Sequence, residues 1–397
     1  MMLDSLAWLI VAIPLALLSI LMIELTCGVL ARRAGGQSPV PLRRSTAAIL
    51  MPAHNEAGGI ARIIAKLRPS LDETIHLIVI ADNCTDDTAQ LAREAGATVI
   101  ERHDAALRGK GHALAFGREW LRAQATPLPD CVVVLDADCE ISRDALRLLI
   151  ETAHTSQRPV QSCYLLRSSP DDGAMTQISN FAILIKNRVR QRGAAALGAP
   201  AILGGTGMAF AWPVIADAPL ATSHLVEDLV LGIDYARKGQ APIYLEQAET
   251  WSDAAGQQDT LTQRTRWEHG YVHTALRHGL PLALSGVAQF SPALLWCGLS
   301  LLVPPLALLM SLSIATLALA AVLALLGATS TPALFLACAI GLIALLLAAA
   351  WARDGRQIVS AATLARIPLY IAWKIPVYLK LVRKRETEWV RTKRKGE

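Results

Sequence analysis

The run Cys131-Val132-Val133-Val134-Leu135 leads straight into Asp136-Ala137-Asp138. Two carboxylates at the end of an apolar strand repel each other unless a cation neutralises them. Oxygen ligands of this kind, beside phosphate, suit Mg²⁺ or Mn²⁺. A lone Asp-x-Asp is a weak signal, and its weight comes from its company. Pro52-Ala53-His54-Asn55-Glu56 follows the apolar run 47–51, and Asp82-Asn83-Cys84-Thr85-Asp86-Asp87 follows 75–81. Asn, Asp and Thr also cap helices, and Thr85, Asp86 and Ser142 are assigned to that task. Arg108-Gly109-Lys110-Gly111 opens a helical run, where a glycine-flanked lysine suits a phosphate. It lacks the full phosphate-loop spacing, so a phosphate-loop NTPase is not supported. Glu227-Asp228 starts a helix at 228–238, where first-turn carboxylates complement the helix dipole. Gln263, Arg266, Trp267 and Gly270 share one face at helical spacing. Arg can neutralise an anionic group and Trp can stack on a flat or apolar ring face. An amphipathic interfacial helix with an anchoring Trp explains the same run equally well.

Residues that follow strands need strands to carry them. From residue 47 short apolar runs alternate with helical periodicity, the pattern of an α/β domain. Strands are predicted at 47–51, 75–81, 97–100, 131–135 and 160–164, with helices at 57–68, 86–95, 111–124 and 142–154. The strands are almost wholly apolar, as parallel strands buried on both faces are. Ligands of such sheets bind at the carboxyl ends of the strands, where the Asp-rich segments fall. Gly204-Gly205-Thr206-Gly207-Met208 follows a strand-like Ala201-Ile202-Leu203.

Of the 397 residues 53% are hydrophobic and 18% charged, against about 25% charge in soluble proteins. The shortfall is local: residues 5–23 and 279–352 contain no Asp, Glu, Lys or Arg. Disorder, a collagen-like chain and a small disulfide scaffold are excluded. Residues 5–23, 301–327 and 333–351 each reach across a hydrocarbon core of about 30 Å. Arg32, Arg33, Arg43 and Arg44 follow the first span and place its end in the cytoplasm. Glu24 is expected at the interface. Residues 281–300 read as an interfacial approach, Pro304-Pro305 as a break, and 362–382 as a helix lying in the interface. The basic tail from Arg383 to Lys395 reads as a cytoplasmic anchor on anionic lipid, not a nucleic-acid site. The seven cysteines show no metal spacing and read as reduced thiols. His269, His273 and His278 are expected to pack, not to bind metal.

On these motifs the chain resembles membrane-bound family-2 glycosyltransferases of GT-A fold. These include cellulose, hyaluronan and chitooligosaccharide synthases, ceramide glucosyltransferases and bacterial exopolysaccharide glycosyltransferases. The resemblance covers residues 46–271. The family order of a first Asp, Asp-x-Asp, Glu-Asp and Gln-x-x-Arg-Trp is met by Asp82, Asp136 with Asp138, Glu227-Asp228 and Gln263 to Trp267. Val226 departs from a frequent Thr, and Asp82-Asn83-Cys84-Thr85 from a frequent Asp-Asp-x-Ser.

The resemblance implies a Rossmann-like, mainly parallel GT-A sheet in the cytoplasm between N- and C-terminal transmembrane helices. The expected divisions are an anchor and basic linker at 1–42, the GT-A domain at 43–256, interfacial helices at 257–300, two spans at 301–352, and an interfacial helix with basic tail at 353–397. Asp228 is then the base, and Asp136 and Asp138 hold Mg²⁺ or Mn²⁺. Asp82 and Glu56 contact uridine beside Pro52, Ala53 and Asn55. Lys110 and Glu227 line the donor site, Gly205 and Thr206 lie in the acceptor loop, and Gln263, Arg266 and Trp267 touch substrate. The implied activity is inverting transfer from a UDP-sugar to a hydroxyl of a lipid-linked saccharide or lipid at an inner-membrane surface, with oligomers allowed. A processive polysaccharide synthase stands as the alternative, and a catalytically idle nucleotide-sugar binder as a third reading.

Overall fold

The computed structural model describes residues 1–31, 45–124, 126–169, 171–222, 224, 226–253 and 257–383, without the side chains of 257–263, 266 and 380–383. The basic linker at 32–44 and the tail from 384 onward lie outside the described residues. The described chain falls into two units, residues 45–167 with 200–262, and residues 1–31 with 168–199 and 263–383.

The first unit carries all eight strands: β1 Ala47–Ala53, β2 Ile75–Asp82, β3 Thr98–Arg102, β4 Cys131–Val134, β5 Cys139–Ile141, β6 Val160–Arg167, β7 Met208–Ala211 and β8 Ile243–Asp253. They form one sheet in the order β3-β2-β1-β4-β7-β6-β8-β5. The half from β3 to β4 is parallel, whereas β7 runs antiparallel to both β4 and β6, and β5 runs antiparallel to β8. The sheet is therefore mixed: β6 and β8 are also parallel to each other, and the Asp-rich ends fall in the wholly parallel run from β3 to β4. The period of two explains why these strands read as continuous apolar runs. Ala47, Ile49 and Met51 of β1 pack on one face with Ile60, Ile63, Ile64 and Leu67 of the Ile60–Leu67 helix. Ala48 and Leu50 pack on the other with Leu114 and Leu121 of the Lys110–Gln124 helix. Ser142 caps the Arg143–Ser156 helix through Ala145 N. Asp86 accepts from Thr88 N and Ala57 N, and so ties two loops. Ala201–Leu203 is not a strand; the glycine loop leads into β7 instead.

The second unit is helical. Its three long apolar helices are Met2–Leu30, Leu306–Leu325 and Thr331–Ala350, the last running on to Gly355. The first buries Ala7, Val11, Pro14, Leu18, Leu21, Leu25 and Gly28. That alternating spacing of four and three is the seam of a packed helix. A Cβ on Gly193 would fall 1.9 Å from the Glu24 carbonyl oxygen, so only glycine lets the Gln191–Ala196 helix press so close.

Glu24 is fully buried within the helical unit: Arg190 Nε donates to it at 2.7 Å and Ser300 Oγ also donates. Arg192 donates to Asp354 at 2.9 Å and to the Gly28 carbonyl at 2.9 Å. The apolar stretch 281–300 continues the long Gln257–Ala288 helix and then forms a separate helix, Pro292–Leu302. Residues Ile367–Arg383 form one helix through Pro376. Lys374 of that helix is wholly buried and donates to Glu268 at 2.8 Å. An amphipathic pattern alone cannot anticipate a lysine turned inward onto a carboxylate.

Candidate active site

β4 ends at Val134, and the chain turns through Asp136 and Asp138 into the short β5. Cys139 N bonds back to the Asp136 carbonyl at 3.0 Å, which tightens that turn. The ligand atoms of Asp136, Asp138 and Cys139 lie within 4.8 Å of one another. The Cys139 thiol donates to Asp138 Oδ1 at 3.2 Å, so it serves to orient that carboxylate. Thr206, buried in the glycine loop, accepts from Asp136 N at 3.0 Å and so fixes the loop to the end of β4.

Lys110 stands at the start of the Lys110–Gln124 helix and joins these parts. Its ammonium donates to Asp136 and, at 2.8 Å, to the Gly205 carbonyl. Burial would lower the lysine pKa, but Asp136, Glu227 and Asp228 outweigh it and push it up. Glu227 and Asp228 form the first turn of the Glu227–Arg237 helix. Burial and the neighbouring Asp228 charge push the Glu227 carboxyl up. Gly205 has φ +84°, and a Cβ there would lie 3.1 Å from Asp228 Oδ2 and 3.4 Å from Lys110 Nζ. The turn, the ammonium and the carboxylate thus meet at one point. A pocket opens among Lys110, Gly205, Glu227 and Asp228 and runs back to Phe210 and Leu231.

Asp136, Asp138, Glu227 and Asp228 gather about Lys110, and the first two sit at metal-ligand spacing. The donor set fits a hard divalent cation. Such a centre can polarise and hold a diphosphate, with a carboxylate nearby to take a proton.

The ends of β1 and β2 hold the remaining predicted residues. Pro52 and Ala53 are Cα partners of Ile80 and Ala81. Asn55, at φ +55°, accepts from Thr85 N at 2.7 Å and donates to Thr85 Oγ1 at 3.1 Å, stapling the two loops. Glu56 N receives Thr88 Oγ1 as its acceptor at 2.7 Å. The Asp82 carboxylate accepts from Arg102 at 2.7 Å and from Asn83 Nδ2 at 3.0 Å. Arg102 went unnoticed in the sequence; its signal was a charged residue ending an edge strand directly across from Asp82.

The Gln263–Trp267 run belongs to the helical unit. The Gln263 and Arg266 side chains lie outside the described residues. Arg264 is buried, stacks on Trp267 at 4.8 Å and donates to Ser179 Oγ at 3.1 Å. His269 is buried and packs against the Val377 carbonyl.

A mixed sheet with acidic loops gathered at the carboxyl ends of β2 and β4, joined to long apolar helices, is the architecture of a membrane-type GT-A transferase. Residues 48–209 match Glycosyl transferase family 2 and residues 131–351 match Glycosyl transferase family group 2. The chain belongs to the latter family, whose model spans more than half of it. Its fold is similar to that of the mannosyltransferase PcManGT from Pyrobaculum calidifontis, solved with GDP-Man and Mn²⁺. That similarity has a TM-score of 0.60 and 18% identity, over 97% of this chain and 100% of the other. It is similar to the low-salt glycan biosynthesis hexosyltransferase Agl6 of Haloferax volcanii, 34% identical over 26% of this chain and 24% of that protein. It is also similar to Protein RfbJ of Shigella flexneri, 39% identical over 17% of this chain and 49% of that protein. The matched stretches thus span about a quarter and about half of the two curated relatives.

Proposed function

We propose that the protein transfers a hexose from a UDP-sugar, with inversion, to a hydroxyl of a lipid-linked saccharide or lipid at the cytoplasmic face of the membrane. The observation that carries this reading is the Lys110 ammonium bridging Asp136 and the Gly205 turn with Asp228 beside it. Asp136 and Asp138 would hold Mg²⁺ or Mn²⁺, which supplies positive charge to the diphosphate as it leaves. Lys110 adds a second positive group on the same side and keeps Asp136 in place. Asp228 accepts the acceptor hydroxyl proton while Gly205 lets the acceptor approach the backbone. Arg266 would add charge to the leaving diphosphate, Trp267 and Gln263 would contact sugar, and Asp82 and Glu56 would contact the nucleoside. Three apolar helices are few for a polymer channel, which favours single or limited transfer over processive synthesis.

Detergent-purified protein is incubated with radiolabelled UDP- and GDP-hexoses, membrane lipids and Mn²⁺ or Mg²⁺. Label should pass from a UDP-hexose to lipid, stop in EDTA and return with either metal. Full transfer in EDTA would overturn the metal assignment, and label moving only from GDP-sugars would overturn the donor.

A further inference from the structure

The ends of β2 and β3 carry a polar network around Asp82 whose other members have no part in the transfer as proposed. Asp82 and Arg102 are Cα partners in the parallel register, so their side chains leave the sheet side by side. Both are about nine-tenths buried as side chains. Arg102 does not grip the Asp82 carboxylate with both arms, as a paired guanidinium commonly does. Nη1 donates to Asp82 Oδ1 at 2.7 Å, while Nη2 donates to Asp104 Oδ2 at 3.2 Å. Asn83 adds a second donor to the same oxygen, Nδ2 to Asp82 Oδ1 at 3.0 Å. The asparagine is itself fixed on three sides. Its backbone is left-handed at φ +52°, its N–H donates to the Arg102 carbonyl at 2.8 Å, and its Oδ1 accepts from Asp104 N at 2.8 Å. Asp104 Oδ1 in turn accepts from Ala106 N and Leu107 N. Oδ1 of Asp82 is thus saturated by two protein donors, and Oδ2 receives none among the described residues.

We propose that Arg102 and Asn83 make Asp82 a one-oxygen acceptor and thereby set the donor site's preference for uracil over guanine. This rests on the reading of Asp82 as the nucleoside contact. Uracil offers a single N3–H flanked by two carbonyl oxygens. One free carboxylate oxygen satisfies the N–H, and the neighbouring guanidinium and amide N–H groups match a flanking carbonyl. Guanine offers N1–H and the N2 amino group side by side, and needs both carboxylate oxygens. With Oδ1 occupied, one guanine donor goes unpaired in a buried site, which is the costly kind of mismatch. Cytosine presents a lone pair at N3, which a carboxylate repels. Arg102 and Asn83 are positioning residues here: they act through Asp82.

The test is calorimetry of UDP, GDP, CDP and inorganic pyrophosphate, each with Mn²⁺, on the full detergent-solubilised chain. The proteins compared are wild type, Asp82→Ala, Arg102→Met, Arg102→Lys and Asn83→Ala, with donor KM and kcat measured alongside. Wild type should bind UDP more tightly than GDP or CDP. Arg102→Met should weaken UDP about tenfold, narrow the UDP-to-GDP ratio, raise donor KM with little change in kcat, and leave pyrophosphate affinity as it was. Arg102→Lys should recover part of the UDP affinity. Unchanged pyrophosphate affinity shows that the fold survives. If the Met variant does not fold, Asn83→Ala removes the other donor and must narrow the ratio instead. If Asp82→Ala weakens UDP but neither Arg102→Met nor Asn83→Ala alters the UDP-to-GDP ratio, the clamp is wrong and the Asp82 contact stands. If no variant changes UDP relative to pyrophosphate, the Asp82 contact itself is wrong. A wild-type preference for GDP or CDP overturns the uracil assignment.

Discussion

Asp228 and Glu227 are neighbours in one helical turn, yet their surroundings differ. Asp228 approaches the Gly205 turn and Lys110, while burial and the Asp228 charge push the Glu227 carboxyl up. Of the two, Asp228 is the one set against the Gly205 turn, which favours it as the group that takes a proton from the acceptor. Asp228→Asn keeps the shape and removes the charge and the basic lone pair. Transfer should fall by about 10²–10⁴, the usual contribution of a positioned base. Donor binding should hold, because Asp82, Asp136, Asp138 and Lys110 are untouched. Asp138→Asn should lose metal-dependent UDP affinity as well as turnover, since it removes the charge of a proposed ligand that the Cys139 thiol orients. UDP calorimetry beside transfer rates separates the two variants. An Asp228→Asn protein that folds, binds UDP and transfers near the wild-type rate would move the base to Glu227.

The helices of the second unit are held by charge as well as by apolar packing. Glu24 is buried against Arg190 and Ser300, so Arg190→Met would strand a carboxylate with a single hydroxyl partner. Breaking one side of a buried pair costs about 3–5 kcal/mol, whereas replacing both partners with apolar residues is often neutral. Arg190→Met should therefore destabilise the detergent-solubilised protein, and Glu24→Leu in the same chain should restore most of the loss. Unfolding curves of both variants decide it: equal losses would show that the pair does not act as a pair.

Neither this pairing nor the burial of Lys374 was legible in the sequence, because local pattern gives an ionisable residue's position and not its long-range partner. β1, β2 and β4, with their intervening helices, were legible because burial on both faces makes each one a nearly solid apolar run, whereas β3 and β6 showed only as shorter runs of β-branched and apolar residues. β5 is three residues long, and β7 is a four-residue Met-Ala-Phe-Ala with no alternation to mark it. β8 is mostly half-buried and broken by a register shift opposite Ser162 and Cys163, so its polar residues hide the period of two. Within the site, Asp136, Asp138 and Lys110 could be found from strand ends and a helix start. Arg102 could not, since only the β2–β3 register brings it to Asp82.

At the scale of the whole chain the open matter is which ends of the apolar helices face the cytoplasm, and contacts within the helical unit bear on it. Asp4, at the start of the first helix, accepts from Thr329 N at 2.6 Å, in the turn between the other two. At the opposite end Arg353 donates to the Val29 carbonyl and, at 2.7 Å, to the Ala31 carbonyl. The first and third helices therefore run the same way, and Leu306–Leu325 runs back between their two ends. Residues 1–8 and 326–331 contain no Lys or Arg, whereas Arg190 and Arg192 meet Glu24 and Gly28, near Arg353 at the other end. If these helices span a membrane, the positive-inside bias makes that second end the one expected in the cytoplasm. The Pro292–Leu302 helix does not upset the parity: its 11 residues reach about 17 Å at 1.5 Å per residue, short of a core of about 30 Å. A reporter inserted after Ala328 should therefore lie on the non-cytoplasmic side, and one fused after Glu397 on the cytoplasmic side. Membrane-impermeant labelling of a cysteine introduced at Thr329 gives an independent reading, provided the native cysteines are first replaced. Should both reporters read the same side, either Pro292–Leu302 or Ile367–Arg383 crosses the membrane and the three-span topology fails.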